Sequence, residues 1–157
     1  MNTVLVIEDD KILLASVSDF LKEEGFNVIL ANNGKVGIEM ALSHLPDLIL
    51  CDILMPVVNG YDVLKKLKSE ISASLIPFIF MTAKTERDDI LLAMEMGVDD
   101  YITKPIDFDE LISRIDKRIN KTREMIRRSE IKYHAVFETA FEAILVIRIS
   151  VTSYVLH

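Results

Sequence analysis

Short apolar runs alternate along most of the chain with stretches in which apolar side chains recur every three or four positions. The runs are rich in valine and isoleucine, which is typical of strands buried on both faces of a sheet. We predict five such strands, at residues 3–7, 26–31, 47–51, 77–82 and 99–103. Because both faces of these strands need a cover, the pattern indicates a sheet enclosed between two layers of helices.

The stretches between the strands have the spacing of amphipathic helices. In the first of them one helical face carries Leu13, Val17, Phe20 and Leu21. Further helices are predicted around 38–45, 63–67 and 90–94, and a longer one begins near Phe108. Strands that alternate with helices are parallel, since each parallel neighbour is reached through a crossover. The sequence therefore predicts an α/β fold with a five-stranded, parallel, doubly wound sheet.

Composition narrows the classes of function. The net charge of −7 argues against a protein that binds nucleic acid or an anionic membrane directly, because both partners are polyanions. The single cysteine, Cys51, excludes an internal disulfide and a cysteine-based metal site. The opening "MNTVLVIEDD" lacks the features of a signal peptide, and no apolar stretch reaches the roughly 20 residues that span a bilayer. We expect a cytoplasmic protein.

Polar residues stand at the ends of four predicted strands. Glu8 and Asp9 follow the first strand and Asp52 follows the third. Thr82 ends the fourth, and Lys104 follows the fifth. Each residue alone has an ordinary explanation, as a turn residue, a strand residue or a surface charge. Together they mark one edge of the sheet, because ligands of open α/β sheets bind outside the carboxyl ends of the strands.

The chemistry of this set indicates phosphoryl transfer to a carboxylate. Clustered carboxylates repel one another and favour a hard cation such as Mg²⁺. An aspartate beside such an ion can act as a nucleophile, and an ammonium group and a hydroxyl can stabilise the phosphoryl oxygens. The sequence contains neither GxxxxGK[ST] nor GxGxxG. We therefore do not expect the phosphoryl donor to be a nucleotide held by this chain.

Four stretches resemble the signature motifs of the receiver domain of bacterial two-component response regulators. They are "VLVIEDD", "LILCDILMPVVNG", "IFMTAK" and "DDYITKPID". The resemblance covers about residues 2–122, and we expect the receiver domain to occupy 1–122. It implies a flavodoxin-like sheet with the strand order 2-1-3-4-5.

The resemblance also implies a role for each residue of the set. Asp52 would accept a phosphoryl group from a phosphohistidine on a sensor histidine kinase or a histidine phosphotransfer protein. Glu8, Asp9 and Asp52 would hold Mg²⁺ together with the backbone carbonyl of Leu54. Asp10, beside the acidic pair, is expected to cap the first helix instead.

The remaining matched positions concern the phosphorylated state. Thr82 would hydrogen-bond to the phosphoryl group and Lys104 would pair with it. Tyr101 matches the aromatic switch residue, although a half-buried strand tyrosine is an alternative. Pro105 matches a proline whose preceding peptide bond is usually cis. Leu54 and Lys84 occupy the positions that tune the lifetime of the phosphorylated protein.

The last helix is predicted to extend beyond the domain, as a linker over 107–136. Its apolar positions follow a heptad pattern with a at Ile112, Ile119, Ile126 and Tyr133, and d at Ile115, Thr122, Ser129 and Val136. This pattern favours a coiled-coil homodimer through 112–136. The alternative is a single amphipathic helix that folds back on its own domain.

The stretch "SEIKYHAVFETAFEAILVI" at 129–147 resembles the opening of a PAS sensor domain, with a lead-in helix followed by a first strand. Residues 137–157 are too few to build a core of their own. We expect them to form an incomplete PAS-like start or a disordered tail.

Two other functions remain open at this point. A small phosphatase with an aspartate nucleophile would also form an aspartyl phosphate, but it needs a second aspartate two residues on, where this chain has Leu54. A flavodoxin-like scaffold that is not phosphorylated would take up no phosphoryl group. The intact acidic set favours the phosphoacceptor over both.

Overall fold

The computed structural model describes residues 1–83 and 87–155, with five strands and five helices in alternation. The strands are β1 (Thr3–Ile7), β2 (Asn27–Ala31), β3 (Leu48–Asp52), β4 (Phe78–Thr82) and β5 (Asp100–Thr103). The helices are α1 (Lys11–Glu23), α2 (Gly34–His44), α3 (Gly60–Ser69), α4 (Arg87–Glu95) and α5 (Phe108–Val155). The strands form one parallel sheet in the order β2-β1-β3-β4-β5, which confirms the predicted fold and strand order.

The core lies on both faces of the sheet, as the continuous apolar runs predict. Successive side chains of a strand point to opposite faces. Accordingly, Leu5 and Ile7 pack in one cluster with residues of α2, α3 and α4. Val4 and Val6 pack in a second cluster with residues of α1 and α5. Strands β3 and β4 are buried along their whole length, so the carboxyl end of each is held firmly in the middle of the sheet.

Helix α1 begins directly beside the candidate site. The Asp10 side chain accepts hydrogen bonds from the backbone N–H groups of Ile12 and Leu13, at 2.9 and 3.2 Å. This confirms that Asp10 is the N-cap of the helix. Because Asp10 is engaged in the cap, the preceding acidic pair is left for the site.

The chain divides into two compact units, Met1–Thr122 and Arg123–His157. Within the first unit, Ile115 and Ile119 of α5 are buried in the same cluster as Val4 and Val6, and Ile112 packs against it. The predicted homodimer seam through 112–136 is therefore wrong in its first half, because the sheet already covers these side chains. In this part of α5 the alternative holds: an amphipathic helix packs on its own domain.

The second unit is helical to Val155, where the sequence indicated a PAS-like strand or a disordered tail. A helix that is already nucleated gains one backbone hydrogen bond for each residue added, so α5 continues without a new nucleus. The Thr139 and Ser150 hydroxyls also donate to the carbonyls of Ala135 and Val146, four residues back. Of the helices in the described part of the chain, none combines the length and apolar character needed to cross a membrane.

Val57, in the loop between β3 and α3, has a strained backbone. Its φ angle is +66° and its side chain is fully exposed. A β-branched residue in the left-handed region clashes with its own backbone, whereas asparagine tolerates this conformation. We expect Val57→Asn to raise the free energy of unfolding by about 1 kcal/mol, measured from the midpoint of urea denaturation.

The matched control is Ile71→Asn. Ile71 is equally exposed, and its φ angle is not positive. This substitution should leave the midpoint unchanged. An equal shift in the two variants would mean that the gain comes from removing an exposed apolar side chain and not from relieving backbone strain.

Candidate functional site

Three charged groups meet at the carboxyl edge of the sheet. Lys104 Nζ donates to Glu8 Oε2 at 2.9 Å and lies 3.1 Å from Asp52 Oδ1. Glu8 and Asp52 are almost fully buried, with 1% and 5% of their surfaces exposed. One ammonium group is thus shared by two buried carboxylates that lie 44 positions apart in the chain.

Strand register explains why these residues meet. Ile7 of β1 pairs with Cys51 of β3, so the residues that follow them, Glu8 and Asp52, lie side by side. On the other side of Asp52, β4 runs parallel to β3 and β5 runs parallel to β4. Lys104 follows β5 directly and reaches back across β4 to both carboxylates. The order of the strands in the sheet therefore brings these three side chains together.

Asp9 completes an acidic cluster at this edge. Each of Glu8, Asp9 and Asp52 offers a carboxylate oxygen, and these oxygens lie within 4.8 Å of one another. Asp9 is exposed, whereas the other two are buried, so the cluster opens to solvent on the Asp9 side. Three carboxylate oxygens at this spacing are a donor set suited to a hard divalent cation.

The electrostatics of the cluster favour added positive charge. Burial raises the pKa of Glu8 above its ordinary value, and the hydrogen bond from Lys104 only partly offsets this. Burial also lowers the pKa of Lys104, but its hydrogen bonds to Glu8 and Asp52 outweigh that effect and leave the pKa raised. Lys104 is therefore charged at neutral pH, and the two buried carboxylates share this one cation.

Thr82 is the last residue of β4, which lies between β3 and β5 in the sheet. It is almost fully buried, and its carbonyl accepts a hydrogen bond from the backbone N–H of Lys104 at 2.8 Å. The Lys104–Pro105 peptide bond is cis, as the resemblance implies. Tyr101 is half-buried on β5, in register with Phe80, and packs against the core cluster on that face.

Leu54 and Lys84 are the two positions predicted to tune the lifetime of the phosphorylated protein. Leu54 lies in the loop that follows β3, and 57% of its surface is exposed. Lys84 lies outside the described residues. Cys51, which precedes Asp52, is fully buried, and its thiol donates to the Asp52 carbonyl at 3.2 Å. Burial raises the pKa of this thiol well above its usual range, so it is a protonated core residue, as expected.

The sequence did not point to one buried ion cluster, which lies at the amino end of β5. Asp100 precedes Tyr101 on β5 and is 6% exposed. Its carboxylate pairs with Arg114 at 2.6 Å and with Arg118 at 3.0 Å, both on α5. The available signal was an aspartate inside a predicted strand with arginines at i, i+4 spacing in the following helix. These contacts fix β5 to the first turns of α5.

Comparison with known proteins agrees with this geometry. The model of the family described as "Response regulator receiver domain" matches residues 4–116. The transcriptional regulatory protein DltR of Streptococcus agalactiae is 37% identical over 129 residues, which are 82% of this chain and 56% of DltR. The chain spans less than two thirds of the length of the curated relatives it matches first.

Solved structures with similar folds include two receiver domains. The Francisella response regulator 1452 receiver domain is 30% identical, with a TM-score of 0.73, over 78% of this chain and 99% of that domain. The receiver domain of a Pseudomonas aeruginosa PAO1 sensor histidine kinase is 25% identical, with a TM-score of 0.71, over 76% and 98%. In the latter structure a magnesium ion is coordinated in the active site cleft.

Proposed function

Because the chain belongs to the family of response regulator receiver domains, we propose that it is a phosphorylation-controlled switch of a two-component system. In this proposal Asp52 accepts a phosphoryl group from a phosphohistidine, on a sensor histidine kinase or a histidine phosphotransfer protein in the cytoplasm. The chain catalyses only this transfer to itself and the slow hydrolysis of the product. The observation that carries the proposal is the Lys104 ammonium shared by Glu8 and Asp52.

The proposed reaction uses the groups at the sheet edge. A carboxylate oxygen of Asp52 forms a bond to phosphorus while the phosphorus–nitrogen bond of the donor breaks, and the imidazole leaves with the electron pair. Lys104 already lies 3.1 Å from Asp52 and would neutralise charge on the phosphoryl oxygens. The Thr82 hydroxyl, at the end of the neighbouring strand, would hydrogen-bond to the same group. Each of these groups is set in place by a strand before the donor arrives.

The acidic cluster fits Mg²⁺. Its three carboxylate oxygens are close enough to share one ion. Burial raises the pKa of Glu8, and a cation beside it would stabilise the buried carboxylate charge. Glu8, Asp9, Asp52 and the Leu54 carbonyl would hold the ion. When bound, Mg²⁺ supplies charge neutralisation at the phosphoryl oxygens.

A route from the site to the last helix supports a relay function. Tyr101 follows Asp100 directly in β5, and Asp100 pairs with Arg114 and Arg118 of α5. We propose that Thr82 moves toward the phosphoryl group and that Tyr101 turns inward after it. A shift of β5 would then reach α5 through the two arginines, and the signal would leave through this helix.

Acetyl phosphate tests the proposed function directly, because the partner kinase is not needed. The chain is incubated with acetyl phosphate and Mg²⁺, and its intact mass is measured. We expect an increment of one phosphoryl group, with acetate as the leaving group. A parallel sample with excess EDTA should show no increment. Failure to gain mass in the presence of Mg²⁺ would contradict the proposal, and an equal gain with EDTA would contradict the metal dependence.

Leu54 is proposed to lengthen the phosphorylated lifetime, because an exposed apolar side chain beside Asp52 offers no hydrogen bond to an attacking water. We expect Leu54→Asn to speed dephosphorylation about tenfold, since one hydrogen bond to that water contributes about 1.4 kcal/mol. The decay of the phosphorylated mass over time measures the rate.

The control for this prediction is Leu75→Asn. Leu75 is also exposed, but it precedes β4 and so lies at the opposite edge of the sheet. Its substitution should leave the decay unchanged. If Leu54→Asn decays no faster than the parent chain, side-chain access at this position does not limit hydrolysis.

A further inference from the structure

The part of α5 beyond residue 122 carries an apolar face that the described structure leaves exposed. Tyr133 is 78% exposed, Phe137 is 70%, Ile144 and Ile147 are 63%, and Val151 is 57%. Soluble monomers rarely expose a continuous apolar patch of more than a few hundred Å². In solution we therefore expect this face to pack against another apolar surface.

The spacing of these side chains is that of a helix–helix seam. Together with Ala140 they form the series 133, 137, 140, 144, 147, 151, with gaps of four and three residues in strict alternation. An apolar repeat of this kind directs one stripe of a helix toward a partner helix. The series is out of phase with the heptads that begin at Ile112, whose first members are buried in the first unit. A new register thus starts at Tyr133, within the second unit, and we call the six residues the 133–151 seam.

We propose that the 133–151 seam binds a second copy of this chain, with the two helices parallel and in register. This inference goes beyond the proposed phosphoacceptor function and does not depend on it. In such a pair Phe137, Ile144 and Val151 occupy the a positions. Ile144 and Val151 are β-branched, and β-branched residues at a positions favour two parallel strands. Each of these side chains would meet its own equivalent, as in an isologous interface.

The residues beside the seam bring no repulsion into a pair of identical helices. In a parallel pair the g position of one helix lies near the following e position of the other. Here this places Val136 opposite Phe141, and Ala143 opposite Arg148. Neither contact brings like charges together. Glu138 and Glu142 lie at b and f positions, where they stay in solvent.

The area of the seam is sufficient for self-association. Stable interfaces bury about 800 Å² on each partner. An aromatic side chain buries about 150–250 Å², so Tyr133, Phe137 and the flanking Phe141 supply more than half of that area by themselves. The three β-branched residues of the seam add the rest along a helical segment of about 28 Å.

Sedimentation equilibrium of the whole chain tests the seam. We expect the parent chain to be a dimer and the double variant Ile144→Glu/Ile147→Glu to be a monomer. The urea midpoint for unfolding of the first unit should be the same in both. The matched control is Leu145→Glu/Ile149→Glu, which places the same charges at exposed apolar positions off the seam. The control should remain dimeric. A monomeric parent chain, or equal dissociation of both double variants, would overturn the proposal.

A cysteine variant tests the orientation. Ile147→Cys places a thiol at a d position, so a parallel, in-register pair should form a covalent dimer when oxidised glutathione is added, seen on a non-reducing gel. Leu145→Cys, at a b position, should not cross-link. The native Cys51 is buried, so the parent chain gives the background. A dimer that fails to cross-link through position 147 would refute the parallel arrangement.

Discussion

Asp52→Asn is expected to abolish phosphoryl incorporation from acetyl phosphate while the chain stays folded. An amide of the same shape has no nucleophilic oxygen at this position, and Asp52 is the one carboxylate of the cluster that lies in β3. Stability is not expected to fall, because the Asp52 charge contributes to the raised pKa of Glu8 and its removal relieves that repulsion. Intact mass measures the first effect and urea denaturation the second.

The control for this prediction is Asp19→Asn. Asp19 is an exposed residue of α1, and its loss should leave the mass increment of the parent chain in place. Incorporation by Asp52→Asn at the level of the parent chain would show that another residue accepts the phosphoryl group. Incorporation lost in both variants would point to a general effect of reduced acidity.

Gly60→Ala is expected to destabilise the chain by about 3 kcal/mol, the upper end of the range for overpacking in a core. A Cβ at Gly60 would be 2.4 Å from the Asp52 carbonyl oxygen and 2.8 Å from Ile53 Cα. Both are backbone atoms, at Asp52 and at the residue after it, so no rotamer change removes the clash. Phosphoryl incorporation should fall as well, because the backbone that positions Asp52 must move. The free energy of unfolding from urea denaturation measures the larger effect.

Gly25→Ala separates steric clash from backbone strain. Gly25 has a φ angle of +88°, and a Cβ there would meet no atom within 4 Å. We expect a loss of about 1 kcal/mol, from the left-handed conformation alone, and unchanged incorporation. If Gly60→Ala were no more destabilising than Gly25→Ala, the packing of α3 against the Asp52 backbone would not be the tight contact that the structure shows.

Local pattern was sufficient to predict the elements of the first unit. The runs at β1, β3 and β4 are apolar without interruption, because parallel strands in the middle of a sheet are covered on both faces. Asp10 could be recognised as an N-cap because the hydrogen bonds it makes are local. Predictions of this kind succeed when the physical cause lies within a few residues of the effect.

The extension of α5 shows where local pattern fails. The heptads of Ile112, Ile115 and Ile119 fit a coiled coil and a domain-packed helix equally well, because both need one apolar stripe. Only the sheet decides between them, since it buries Ile115 and Ile119 completely or almost completely. The same holds for Asp100, whose role depends on two arginines that another element brings to it.

The sequence by itself determined the α/β class, the strand order implied by its motifs, and the residue types gathered at the strand ends. Tertiary structure alone decided that one ammonium, Lys104, bridges Glu8 and Asp52, because that contact depends on side chains from three strands meeting in space. It also decided which apolar residues of α5 are covered by the sheet and which are not. The first of them are covered by the sheet, whereas the 133–151 seam remains exposed. Burial depends on what lies opposite a side chain, and a linear pattern does not contain that information.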